Sequence, residues 1–241
     1  MSSVRPAADT PLPAIQSVER AARMLGLFTV DEPQLTLGDL TVRMGMSKAT
    51  VHRYATALRN AGLLRLHDGL YTLGPRVVEL ASAALEGLAV VRVAGPYLDR
   101  LVGNTGETAV LSVWDGEAPV VVRVQDNTSK LVRIIVATGS RLPLDSAQGQ
   151  VFRAFLERDD ESAELERVRE SRLAQNAAVV DGIAAMAAPV FQGAEIIATL
   201  ALVGTTASIE TDPRASMAQA LGSAAATLSA ELGFVETERR S

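Results

Sequence analysis

The stretch Ser47–Gly62, SKATVHRYATALRNAG, presents two different faces on a 3.6-residue repeat. Val51, Ala55, Leu58 and Gly62 fall on one side, and Lys48, His52, Thr56 and Arg59 on the other. Ser47 suits an N-cap, because its hydroxyl can accept an orphan N–H of the first turn, and Asn60-Ala61-Gly62 suits a stop. The run holds Lys48, Arg53 and Arg59 and no acid. One side is built to pack; the other faces solvent or a polyanion, and the helix alone does not say which.

The flanking residues supply the context. Thr36 caps a short helical run, LGDLTVRM at 37–44, with Leu37, Leu40 and Met44 inward, and Gly45 follows where a tight inter-helix turn needs positive φ. Ahead of it, Ile15, Val18, Ala21, Ala22, Leu25 and Phe28 predict a first helix over Ala14–Phe28, which Asp31, Glu32 and Pro33 end. Downstream, LLRLHDGLYTLG at 63–74 sets Asp68-Gly69 between two short apolar runs, the signature of a hairpin. Three helices and a hairpin make a winged helix-turn-helix, with Ser47–Gly62 as its reading helix. The first residues of such a helix reach base edges while neighbouring cations hold phosphates. Ser47, Lys48, Thr50 and Arg53 are the expected main contacts, with His52 beside them, Thr36 anchoring backbone and Arg65 reaching out from the wing.

With 241 residues the chain has length for two domains. Hydrophobic residues make up 48% and charged residues 21%, a balance that supports a real core, while 4% aromatics mean that Ala, Val, Leu and Ile must fill it. The absence of Cys excludes disulfides, thiolate nucleophiles and Cys-ligated zinc. The net charge of −5 is uneven: residues 1–75 hold eight Lys and Arg against six acids, the remainder fifteen against twenty-two. A locally basic N-terminal part on an acidic protein is compatible with DNA. MSSVRPAADTPLPA at the start is no signal peptide, and a cytoplasmic protein with no membrane partner is expected. The apolar run Ile183–Val203 is long enough to span a bilayer, but Gln192, Gly193 and Glu195 interrupt it, so it reads as two strands and a turn.

The rest of the chain follows the same logic. Residues 1–13 contain three prolines and predict a disordered arm before a DNA-binding domain at 14–75. Pro75–Gly87 predicts a helix with Pro at its first position, and Ala89–Gly103 another that Pro96 either kinks or restarts. Strands are expected at Thr108–Trp114, Val120–Val124 and Leu131–Ala137, then helices at Gln150–Leu156 and Glu161–Arg172. Strands at Ile183–Phe191 and Ile196–Gly204 and a helix at Asp212–Leu232 complete an α+β domain.

Taken together, QSVERAARMLGLF (16–28), LGDLTVRMGMSKATVHRYATALRNAGLL (37–64) and GLYTLGPRV (69–77) resemble the N-terminal domain of IclR-type transcriptional regulators. GSRLPLDSAQGQVFRAFL (139–156) and DGIAAMAAPVF (181–191) are similar to later segments of that family, so the likeness runs from about Gln16 to Gly233. It implies a linker helix at 76–88, a GAF-like effector-binding domain at 89–235 and a short tail at 236–241. It also implies a homodimer or dimer of dimers on a pseudo-palindromic operator in double-stranded DNA, and a small-molecule effector. The family's pocket walls correspond to Ile134, Leu142, Gln148, Gly149, Gln175, Ile183, Ala185, Ala201 and Val203. Ile183 and Ala185, like Ala201 and Val203, stand two apart and share a strand face. Asp145, Gln148 and Gln150 depart from the family's pattern, and Ala185, Ala201 and Val203 carry no side-chain donors. The expected pocket is therefore mostly apolar, with Ser146, Gln148 and Gln175 as polar handles, and its ligand largely apolar or aromatic. The same small residues would serve equally as plain core.

No catalytic machinery, metal site or cofactor motif is visible. Both histidines, His52 and His67, lie in the N-terminal domain, and GNTG at 103–106 reads as a helix-to-strand turn rather than a phosphate cradle. An alternative remains open on sequence alone: a small-molecule-binding or catalytic domain whose N-terminal helices serve assembly. DNA binding separates the two.

Overall fold

Met24, Leu40, Met44, Val51, Ala55, Leu58, Leu64 and Tyr71 are buried in one cluster, and their burial brings three helices and a small sheet together. The computed structural model describes residues 15–128, 130, 134–157, 160, 162–176, 181–209, 212 and 215–234. The expected arm at 1–13 and tail at 236–241 lie outside the described residues. Helices α1 (Gln16–Leu25), α2 (Leu37–Met44) and α3 (Lys48–Asn60) follow the predicted periodicity. Gly45 closes α2 in the left-handed region at φ 64°, so the chain can reverse at once into the cap of α3.

The wing is β2 (Leu64–His67) and β3 (Leu70–Leu73), joined by Asp68 at φ 49° and Gly69 at φ 80°. Two central residues with positive φ make the tight turn whose twist matches antiparallel strands. The periodicity did not predict the third strand of this sheet, β1 (Leu35–Thr36), which pairs antiparallel with β3. Two residues are too few to show alternation. Thr36 ends β1 and caps α2 in a capping box: its hydroxyl accepts from the Asp39 N–H at 3.1 Å, and its own N–H donates to Asp39 Oδ2 at 2.9 Å.

The Thr36 hydroxyl, which donates to Asp39 Oδ2 at 2.6 Å, and the Thr36 N–H together hold the Asp39 carboxyl below its ordinary range. A carboxyl whose pKa is lower when folded stabilises the fold above its unfolded value, about 3.9, and that contribution disappears as pH falls through the folded value. Loss of the N-cap in Thr36→Ala should lower stability by about 1 kcal/mol at neutral pH. The deficit should shrink below pH 4, as read by denaturant titrations at several pH values.

The chain divides into two compact units, one ending at Ala81 and the next beginning at Ser82, within α4 (Pro75–Gly87). In the second unit, α5 (Ala89–Val93) gives way at Ala94 to α6 (Gly95–Thr105), which has Pro96 in its first turn, so the proline restarts the helix. Five antiparallel strands follow in the order β5-β4-β8-β7-β6: β4 (Thr108–Trp114), β5 (Pro119–Gln125), β6 (Ala174–Asn176), β7 (Ile183–Gln192) and β8 (Glu195–Thr205). The run at Ile183–Val203 is the β7–β8 hairpin, turning at Gly193-Ala194.

One expected strand is corrected. Residues 131–133 of Leu131–Ala137 lie outside the described residues, and Ile134–Ala137 adopt no strand. The strand at the sheet's other edge is β6, whose three residues pair with Ala185–Ala187.

Strand alternation sorts the sheet's side chains onto two faces. Ala109, Leu111, Met186, Ala188, Leu200 and Leu202 pack with α6 and with α9 (Ser216–Glu231). Val110, Ala187, Ala201 and Val203 pack on the opposite face with α7 (Ala147–Leu156) and α8 (Ala163–Ser171). Tyr97 of α6 donates to Glu231 of α9 at 2.5 Å, tying the first of these layers together. Among the described residues no helix is long and apolar enough to cross a membrane.

Candidate nucleic-acid interface and ligand-binding face

Helix α3 buries Val51, Ala55 and Leu58 and leaves Lys48, His52, Arg53 and Arg59 exposed, so the packing side is the one the sequence assigns. Its cap is Ser47, whose Oγ accepts from the Thr50 N–H at 3.3 Å and lies 2.9 Å from Thr50 Oγ1. Lys48 follows in the first turn, with no acid there to offset the positive end of the helix dipole. A cation at that end is locally unfavourable, and an anion relieves it. Lys48, Arg53 and Arg65 have no ion-pair partner among the described residues, in contrast to Arg43, which pairs with Glu32 at 2.7 Å.

The neighbouring helix is fixed from behind. Arg23 of α1 donates to the Arg43 carbonyl at 3.1 Å, satisfying a group at the C-terminus of α2. On the wing, Arg65 is exposed on β2 opposite Thr72, and His67 lies 3.2 Å from Asp68. The Thr36 hydroxyl also lies 2.6 Å from Asp39 Oδ2, so most of its hydrogen-bonding capacity is spent on the cap. Between α1 and α3 runs a groove of about 700 Å³ lined by Ser17, Arg20, His52, Arg53, Thr56 and Asn60, among others. The sequence places Thr56 on the polar face, one turn beyond His52, and Asn60 at the helix stop, but neither is among the expected contacts.

In the second unit, Ile134, Leu142, Ile183, Ala185, Ala201 and Val203 come together in a single apolar cluster beneath α7. Ala185 pairs with Val203 and Ala187 with Ala201, and this register carries two spacings read from sequence onto one face. Ser146 caps α7: its hydroxyl accepts from the Gly149 N–H at 3.1 Å and donates to the Pro143 carbonyl at 2.6 Å, leaving little for a ligand. Gly149 is needed for close approach, since a Cβ there would stand 2.6 Å from Pro143 O and from the Leu144 carbonyl carbon.

Gln148 is 3% exposed, and its carboxamide has no hydrogen-bond partner among the described residues. Gln175 is placed differently from the other handles. It pairs with Met186, a residue of the opposite cluster, while its neighbour Ala174 packs beneath α7. It lines an outer groove of about 560 Å³ with Gln150, Glu164 and Arg167. The reading also missed the aromatic wall of the α7 face, where Phe152 meets Trp114 at 5.4 Å between ring centroids. Neither residue shows its neighbour until the fold is known.

Comparison with known proteins agrees with both units. The family profile described as IclR helix-turn-helix domain matches residues 17–68, and that described as bacterial transcriptional regulator IclR C-terminal matches residues 82–179. The Escherichia coli HTH-type transcriptional regulator XynR is 28% identical, over 92% of this chain and 99% of its own. The Streptomyces griseus glycerol operon regulatory protein is 29% identical, over 91% and 97%. A crystal structure of an IclR transcriptional regulator from Alicyclobacillus acidocaldarius superposes with a TM-score of 0.75 at 26% identity, covering 91% of this chain and 100% of that one. The same fold, at 20% identity and a TM-score of 0.71, covering 90% and 98%, occurs in an IclR homologue from Microbacterium hydrocarbonoxydans complexed with 4-hydroxybenzoate.

Proposed function

Because the chain belongs to the IclR family of transcriptional regulators, we propose that its affinity for a pseudo-palindromic operator is set by a largely apolar or aromatic effector bound beneath α7. The observation that carries this reading is the convergence of Ile134, Leu142, Ile183, Ala185, Ala201 and Val203 on one face of the sheet. None of the six offers a charge. Ser47, Lys48, Thr50 and Arg53 contact the DNA, with His52 beside them, Thr36 at the backbone and Arg65 on the wing. The effector site takes in Gln148 and Gly149 as well, with Ser146 holding the start of α7, while Gln175, whose strand partner Met186 belongs to the opposite face, lies outside it.

A single winged helix covers one half-site, so two copies are required for a two-fold operator. Apolar residues support such pairing: Ile15 and Val18 at α1 and Val78 and Leu80 on α4 are exposed, and α4 buries none of its residues. The effector acts by linkage, changing operator affinity as far as it binds the two states of the protein unequally.

The test is an electrophoretic mobility shift with the DNA upstream of the protein's own gene, titrated with salt and then with ligands. Thermal shift against a panel of aromatic acids, phenols and other metabolites selects those ligands. The reading predicts a salt-sensitive complex that at least one stabilising compound weakens or strengthens. A regulator that retards no upstream DNA, or whose melting temperature no compound moves, contradicts it.

A further inference from the structure

On the α7 face of the sheet, Ser112 of β4 stands directly opposite Thr199 of β8, and both residues are 0% exposed. Neither Ser112 Oγ nor Thr199 Oγ1 has a hydrogen-bond partner among the described residues. Ser112 is two residues from Val110 and Thr199 two from Ala201, and those two neighbours pack beneath α7, so both hydroxyls turn to the same side. An unpaired buried hydroxyl is destabilising, and Ala or Val at either site would remove the penalty while keeping the packing. Sheet interiors contain such groups rarely, and two facing each other more rarely still.

A third polar group belongs with them. Gln148 lies one turn before Phe152 on α7, and Phe152 meets Trp114, two residues beyond Ser112 on the same strand. The flank of α7 that carries the unpartnered Gln148 carboxamide is therefore the flank turned toward β4.

We propose that Ser112, Thr199 and Gln148 form the floor of the effector site and receive an uncharged hydrogen-bonding group, a hydroxyl or carbonyl, at the buried end of the ligand. The inference rests on the reading of this face as the effector site. The three side chains can donate as well as accept, which suits a hydroxyl. A carboxylate is not matched at this depth: among the described buried polar residues none is Lys, Arg or His. The one buried acid among them, Glu107, pairs with Lys130 and abuts Gly204, whose strand partner Ala184 belongs to the opposite cluster. No solvent reaches the two hydroxyls, so a ligand gains them only by parting α7 from the sheet. The bonds it then makes are ones the closed state lacks, and this difference between states is what couples binding to a change of structure.

The experiment compares wild type, Ser112→Ala, Thr199→Val and Thr199→Ser as full-length protein, using calorimetric titration and melting temperature with 4-methylphenol, toluene and benzoate as probes. Wild type should bind 4-methylphenol at least tenfold more tightly than toluene, and benzoate no more tightly than toluene. Ser112→Ala and Thr199→Val should melt no lower than wild type and lose the preference for the phenol over toluene, while Thr199→Ser retains it. Equal affinity of wild type for phenol and toluene, or retention of the preference by both hydroxyl-free variants, overturns the floor. So does a fall in their melting temperature, because it would mean that the hydroxyls are already satisfied. If a compound from the metabolite panel binds wild type and variants alike, the floor alone is wrong; if neither probes nor panel bind wild type, the sensing reading fails with it.

Discussion

Gly74→Ala is expected to destabilise the winged helix strongly while leaving the second unit intact. Gly74 joins the wing to α4 and donates its N–H to the Leu63 carbonyl at 2.8 Å, and Arg76 returns a bond to the Gly62 carbonyl at 3.3 Å. The two strands of chain are backbone against backbone there. A Cβ on Gly74 would stand 2.8 Å from the Gly62 carbonyl carbon, 3.0 Å from that of Leu63, and closer still to Gly62 O. No rotamer change can relieve a clash with main chain, so the loop between α3 and the wing must open. Overpacking costs of about 1–3 kcal/mol are usual where side chains can yield, and about 3 kcal/mol or more is expected here. The chain's single tryptophan, Trp114, lies in β4 of the second unit. Far-UV circular dichroism should show an early transition in denaturant that tryptophan fluorescence does not. Coincident transitions at the wild-type midpoint would show that the backbones accommodate the methyl group.

The second large effect concerns the reading helix. Lys48→Ala and Arg53→Ala remove exposed cations that have no ion-pair partner to lose among the described residues, so neither should alter folding by more than about 0.5 kcal/mol. Their effects on DNA should differ. Lys48 sits in the first turn of α3, where phosphate fits the helix end; its loss should weaken every sequence alike and reduce the salt slope by about one counterion. Arg53, one turn further along, should read a base, so its loss should relax preference at one pair of the operator by about 1–3 kcal/mol. Fluorescence anisotropy on the operator and on scrambled DNA at several salt concentrations measures both. Undiminished operator affinity in the two variants together would remove α3 from the interface.

The two halves of the chain were not equally legible. In the N-terminal part nearly every decision is local: a cap at Ser47, a left-handed turn at Gly45, a hairpin turn at Asp68-Gly69. Each is written within four residues, and the structure repeats them. In the C-terminal part the strands Thr108–Trp114 and Ile183–Phe191 were visible from composition, but β6 was not. Three residues, AQN, carry no periodicity, and they are a strand only because β7 offers them an edge. The proposed ligand-binding face shows the same divide. Spacing places Ala201 and Val203 on one side of a strand, and Ile183 and Ala185 on one side of another. Nothing in that spacing says that the two sides coincide, that Gln175 turns to the other face, or that Ser112 meets Thr199.

The sequence by itself thus determined the winged helix, which face of α3 packs and which is free, and the family. Caps, turns and helical repeats are set by neighbours along the chain, over distances that a single turn or hairpin spans. Tertiary structure decided the rest: the sheet order β5-β4-β8-β7-β6, the face beneath α7 and the buried polar residues that lie on it. Those depend on register between strands some 90 residues apart, where a shift of one residue would send every side chain to the opposite face.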